Sequence, residues 1–129
     1  MTHITAIQTS NAPAAIGPYS QAVKITHAQE LLFISGQLPI DPQTGLLVTS
    51  PAKATEQCMQ NISAILTAAN MHFGNIVDVT IFLTDIEDFS AVNTVYESFF
   101  TQPYPARATI QVAALPKGVC IEIKVTAAR

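Results

Sequence analysis

The sequence predicts an α+β domain in which two helices cover one face of a mixed β-sheet, and three observations support this. Apolar residues recur with period two in several short runs and at three- and four-residue intervals in two longer ones. Taken in order, the runs read β-β-β-α-β-α-β-β. A chain of 129 residues suits one domain, spanning 1–129, whose core needs no disulfide or metal staple.

"NAPAAIGPYSQ" carries the Gly17-Pro18 step of an ordered loop. "AVKITH" (22–27) and "ELLFISG" (30–36) then read as two strands of a hairpin joined by a short turn. Asp41-Pro42 followed by Gly45 fits a turn ending in a left-handed residue, which sends the chain back through "LLV" (46–48) as a third strand. Ser50 is placed to cap a helix whose first position is Pro51, where a missing N–H costs nothing. Ala54, Cys58, Ile62, Ile65, Leu66 and Ala69 share the apolar face of that helix, and Asn70 suits its left-handed stop. "VDVTIFLT" (77–84) reads as a strand. The run 85–100 follows as a second helix with Phe89, Val92, Val95 or Tyr96, and Phe99 on its buried side. "ATIQV" (108–112) and "VCIEIKVTA" (119–127), linked by "AALPKG", complete the set.

Strands such as "LLFIS" and "TIFLT" are apolar at successive positions, so both of their sides require burial. Two helices cannot supply both layers. Only 12% of residues are charged, about half the usual fraction, and the second face is therefore expected to pack against other copies of the chain. The net charge is −3 and the basic residues Lys24, Lys53, Arg107, Lys117, Lys124 and Arg129 are scattered. No nucleic-acid or anionic-membrane footprint results. No apolar run reaches membrane-spanning length, and "MTHITAIQTS" lacks the features of a secretion signal, so a cytoplasmic location is expected. Cys58 and Cys120 match no zinc or redox spacing, and His3, His27 and His72 are isolated, so no metal is expected.

Alternation sorts the residues that could carry chemistry. Ala108, Ile110 and Val112 are expected to face the helices, with Arg107, Thr109 and Gln111 on the other side, and Ile121, Ile123 and Val125 likewise face the helices, which leaves Cys120, Glu122 and Lys124 facing away. Arg107 and Glu122 are thus expected on the same side, that of subunit contact. One reading makes them a structural ion pair. The other makes Arg107 a fork for a planar carboxylate and Glu122 a proton acceptor and donor for water. Tyr19 reads as a core aromatic with a surface hydroxyl or as the wall of a small pocket, Ser35 and Gly36 as a strand end, and Asn93 as an exposed helical residue. Cys120 has no histidine near it in this topology and reads as a small hydrophobe rather than a nucleophile. Asn61-Ile62-Ser63 matches a glycosylation sequon by chance, since it falls within a helix.

"NAPAAIGPYSQAV", "LLFISGQLPIDPQTG", "VTIFLTDIEDFSAVNTVYESFF" and "PARATIQVAALPKGVCIEI" together resemble the Rid (YjgF) family, and within it the RidA subfamily, over nearly the whole chain. The resemblance implies a chorismate-mutase-like fold assembled as a homotrimer with clefts between subunits. It also implies cofactor-free hydrolysis of 2-iminopropanoate and 2-iminobutanoate, formed from 2-aminoacrylate and 2-aminocrotonate, to 2-keto acids and ammonia. By position in the motifs, Arg107 would anchor the substrate carboxylate and Glu122 would place or activate water. Tyr19, Ser35, Gly36, Asn93 and the backbone of Thr109 would line the site. The loop "FTQPYPAR" is shorter than in several members, and Asn70 replaces the usual glycine after the first helix. The rival expectations are a non-catalytic binder or sensor of 2-keto acids and, within the same family, a ribonuclease or translation inhibitor, against which the acidic balance argues.

Overall fold

The computed structural model describes residues 1–129. Its elements are β1 (His3–Ile7), β2 (Ala22–Thr26), β3 (Leu31–Gln37), α1 (Pro51–Ala68), β4 (Ile76–Leu83), α2 (Phe89–Glu97), β5 (Ala106–Gln111) and β6 (Ile121–Ala128). A four-stranded sheet runs in the order β3-β6-β4-β5, with β1 and β2 forming a separate two-stranded ribbon. β4 and β5 are parallel while β6 is antiparallel to both β3 and β4, so the main sheet is mixed.

The order of types matches expectation, but the first three strands differ from those predicted. β2 does not form a hairpin with β3; it pairs antiparallel with β1, in the register Ile4↔Ile25 and Ala6↔Val23. β3 pairs with β6 instead. Period-two alternation identifies a strand but says nothing about its partner, and β1 carries too little apolar alternation to announce itself. "LLV" shrinks to a single bridge, Ile40↔Leu47. Its turn is as expected: Gly45 has φ +72, its N–H donates to the Asp41 carbonyl, and the Asp41 side chain accepts from the Gln43 N–H.

α1 begins at Pro51 after an extended Ser50 whose side chain makes no capping bond, and it ends before Asn70, which has φ +58. Ala54, Cys58, Ile62 and Leu66 are buried as the spacing requires, joined by Met59 and Thr55. Thr55 returns its hydroxyl to the Pro51 carbonyl at 2.7 Å, which removes the cost of burying it. Of the two options on α2, Tyr96 is the buried one. These faces meet Ile34, Val79, Ile81, Leu83, Ile121, Ile123 and Val125 in one core.

Asn61 does not present a glycosylation site: its amide donates to the Leu38 and Ile40 carbonyls at 3.1 and 3.0 Å, holding the segment after β3 against α1. The other face of the main sheet is uncovered and carries Leu31 and Phe33, 54% and 69% exposed, with Ile110 at 44%. No helix is long and apolar enough to cross a membrane.

Candidate active site

β5 is the outermost strand beside β4, and its register settles where Arg107 points. Arg107, Thr109 and Gln111 lie next to Val79, Ile81 and Leu83, three residues buried beneath the helices. Neighbours in a parallel pair share a face, so this row faces the helix layer, and Ala108 and Ile110 face outward. The reverse was expected. Alternation groups residues by face and polarity ordinarily marks the outward group, but on this edge strand the inward row is the polar one. The Gln111 side-chain oxygen accepts from the Ile86 N–H at 2.8 Å. The Thr109 hydroxyl is buried with no hydrogen-bond partner.

The Arg107 guanidinium is half-buried in a cage built mainly by α2. Phe89, Asn93 and Tyr96 sit at i, i+4 and i+7 and so lie along one helix face. Nη1 of Arg107 donates to the Asn93 side-chain oxygen at 2.6 Å. The rings of Tyr96, Tyr19 and Phe89 lie 5.0, 5.6 and 5.7 Å from its central carbon, within cation–π range. Tyr19 arrives from the loop after β1. The next residue, Ser20, is clipped to the start of β5: its N–H donates to the Pro105 carbonyl at 3.0 Å and its hydroxyl to the Tyr104 carbonyl at 2.5 Å.

No carboxylate meets this cation, because the chain's one ion pair joins Arg129 to Glu30. Burial lowers the Arg107 pKa from its ordinary value, with the phenols of Tyr96 and Tyr19 opposing the shift; a guanidinium nonetheless stays charged. The buried Tyr96 hydroxyl also lacks a partner, and burial drives its pKa up, so it remains a neutral phenol. The cage is therefore a charged fork with one protein acceptor, enclosed by apolar faces and lacking a counter-anion.

Glu122 occupies the other side of the sheet. It lies opposite Phe82, between the fully buried Ile121 and Ile123, and faces away from the helices as expected. Its carboxylate rests directly on Gly36, where an added Cβ would fall 1.8 Å from Oε2. Gly36 sits in the irregularity between Ile34 and Gln37 on β3, beside the exposed Ser35. Arg107 and Glu122 thus do not meet within one chain. They are separated by β4, by about 10 Å across strands and a similar distance along them, and they project from opposite faces. The predicted residues fall into two groups, each a candidate half-site: Arg107 with Asn93, Tyr19 and Thr109, and Glu122 with Gly36 and Ser35.

Sequence reasoning assigned Phe89 and Tyr96 to the core and missed them as cage walls. The i, i+4, i+7 spacing of Phe89, Asn93 and Tyr96 was the available signal. The largest hollow, of about 520 Å³, lies between the β1–β2 loop and Gln102–Tyr104 and reaches Tyr19 but neither Arg107 nor Glu122. Cys58 is buried and donates to the Gln37 carbonyl, and Cys120 is half-buried. Burial raises both thiol pKa values, leaving them protonated and poorly nucleophilic. No three His, Cys, Asp or Glu side chains gather as metal ligands would.

Residues 9–129 match the family model described as endoribonuclease L-PSP. The chain is 51% identical over 122 residues to the 2-iminobutanoate/2-iminopropanoate deaminase of Capra hircus, covering 94% of this chain and 87% of that one. Among solved structures it is similar to RidA from an Antarctic Psychrobacter, with TM-score 0.75 and 44% identity over 97% and 99% of the two chains. It is also similar to Escherichia coli TdcF with bound serine, with TM-score 0.74 and 41% identity over 97% and 98%.

Proposed function

Because the chain belongs to the endoribonuclease L-PSP (Rid) family, in its RidA branch, we propose that it is a cytoplasmic imine deaminase. It converts 2-iminopropanoate and 2-iminobutanoate to 2-keto acids and ammonia, clearing the reactive products of 2-aminoacrylate and 2-aminocrotonate. The observation that carries this reading is the Arg107 cage, whose half-buried cation has an amide and three rings around it and no anion of its own. A small carboxylate supplies the missing charge through two parallel N–H···O bonds. Relatives named as deaminases of 2-imino acids add the substrate class.

The imine carbon is electrophilic, so hydrolysis requires a held substrate, a placed water and a proton route. With its carboxylate on Arg107, the substrate presents C=N to a water bound at Glu122. The carboxylate takes the water proton as the oxygen adds to carbon, and the C=N pair moves to nitrogen, which receives that proton back from Glu122. The carbinolamine hydroxyl then gives its proton to the same carboxylate, which passes it to the amine nitrogen as the C–N bond breaks, releasing ammonia and the 2-keto acid. Since Arg107 and Glu122 project from opposite faces of one sheet, a shared cleft requires a second copy contributing one of the half-sites. The uncovered apolar face with Leu31, Phe33 and Ile110 is a surface such copies can bury, and a homotrimer is the assembly proposed.

The test is a coupled assay in which a threonine or serine dehydratase generates the imine. Keto-acid release accelerates when this protein is added. Ligand binding without acceleration favours the rival reading of a non-catalytic 2-keto acid sensor. RNA cleavage is disfavoured by the net charge of −3 and by basic residues that form no stripe. Assembly is tested separately with Phe33→Asp, which places a charge on the apolar face. The wild type should elute as a trimer, and the variant should elute smaller and lose hydrolysis. A fully active wild-type monomer would remove the shared cleft.

A further inference from the structure

We propose that Gln21 is a positioning residue that sets how firmly Tyr19 closes the Arg107 cage, and hence the affinity for the substrate carboxylate; the inference rests on the deaminase reading of that site. Residues 8–21 join β1 to β2 with almost no regular structure, and residues 8–17 are exposed. A segment of this kind keeps one shape only if something ties its backbone together. Here one amide makes the most such ties. The Gln21 side-chain oxygen accepts from the Thr9 N–H at 2.7 Å. The two N–H bonds of its Nε2 are shared among the carbonyls of Thr9, Ala12 and Pro13 at 3.0, 3.2 and 2.7 Å. The amide gathers both polar groups of Thr9 and two further carbonyls at the base of the loop.

The tied loop then runs against the cage. A Cβ on Gly17 would lie 3.7 Å from the Tyr19 ring and 3.8 Å from Nδ2 of Asn93, so the loop backbone passes within one methyl group's reach of the residue that holds Arg107. The Tyr19 hydroxyl accepts from the Ile16 N–H at 3.4 Å, and Ser20 fixes the following residue to β5. Gln21 touches neither Arg107 nor the space beside it; it acts through the path Thr9 to Tyr19.

The experiment compares full-length wild type with Gln21→Ala, Tyr19→Ala, their double variant and Gln21→Glu. Pyruvate is the binding probe, and imine hydrolysis and backbone amide exchange are read alongside. In Gln21→Ala, the Thr9 and Ile16 amides should exchange faster, and KM and pyruvate Kd should rise about tenfold while kcat stays within about twofold. The double variant should bind no more weakly than Tyr19→Ala alone, because both changes act through the same ring. Gln21→Glu places a carboxylate against three carbonyls, so its deficit relative to wild type should be largest at high pH and shrink on acidification, as the protonated acid regains a donor. Unchanged exchange and affinity in Gln21→Ala would overturn the proposal, as would full additivity with Tyr19→Ala. Failure of the wild type to hydrolyse imines would instead strike the deaminase reading, leaving the exchange and pyruvate results to be judged on their own.

Discussion

Replacing Arg107 with Ala lowers kcat/KM for 2-imino acids by at least about a hundredfold while the assembly survives. Two charge-assisted bonds to a carboxylate, each contributing about 1.5 to 3 kcal/mol, are lost together. The cage makes the loss larger than at an exposed arginine. Phe89, Tyr96 and Tyr19 keep water from part of the guanidinium, so its attraction for an anion is weakly screened. Arg107→Lys should restore little activity, because an ammonium on a flexible stem cannot present the planar fork, reach Asn93 with the same geometry or stack between rings. Keto-acid release in the coupled dehydratase assay, with size-exclusion elution as the control for folding, provides the measurement. Full activity in a correctly assembled Arg107→Ala protein would remove the enzymatic assignment.

Much of the architecture was legible because its signals are local. Pro51 and Asn70 bracket α1, the three- and four-residue spacing of Cys58, Ile62 and Leu66 marks its inner face, and alternation marks β4 and β6. What could not be read was relational. β2 announces itself as a strand, but its partner β1 lies across an irregular loop, and local spacing points to the nearer β3. The facing of β5 failed for a related reason. Ala108 and Ile110 look like core residues, yet on this edge strand the inward row is Arg107, Thr109 and Gln111. Arg107, Glu122 and Asn93 were legible as candidates from residue type and motif. That Arg107 and Glu122 leave opposite faces became visible only once the register through β4 was known, and this fact carries the argument for a site shared between copies.

Gly36→Ala should abolish hydrolysis about as thoroughly as Glu122→Gln, although it adds one methyl group and changes no charge. The new Cβ would fall 1.8 Å from Oε2 of Glu122, 2.7 Å from its carboxyl carbon and 3.0 Å from Cγ. Gly36 has no left-handed backbone to protect, so clearance alone requires glycine here. The atoms in the way belong to the flexible end of a side chain at the open sheet face, and moving them is cheaper than moving the strand. The protein therefore folds, with Tm lowered by only a few degrees, about 1 kcal/mol or less. The displaced carboxylate no longer meets the water. General acid–base catalysis contributes about 10²- to 10⁴-fold, so kcat falls by at least about a hundredfold in either variant, while pyruvate affinity, held by Arg107, changes about twofold or less. In the double variant the losses do not add, because the second change removes a group the first has already misplaced. A Gly36→Ala protein that keeps wild-type kcat while Glu122→Gln does not would show that the carboxylate reaches its working position from another rotamer, and Gly36 would lose its role. Wild-type kcat in Glu122→Gln itself would move the proton route to another group altogether.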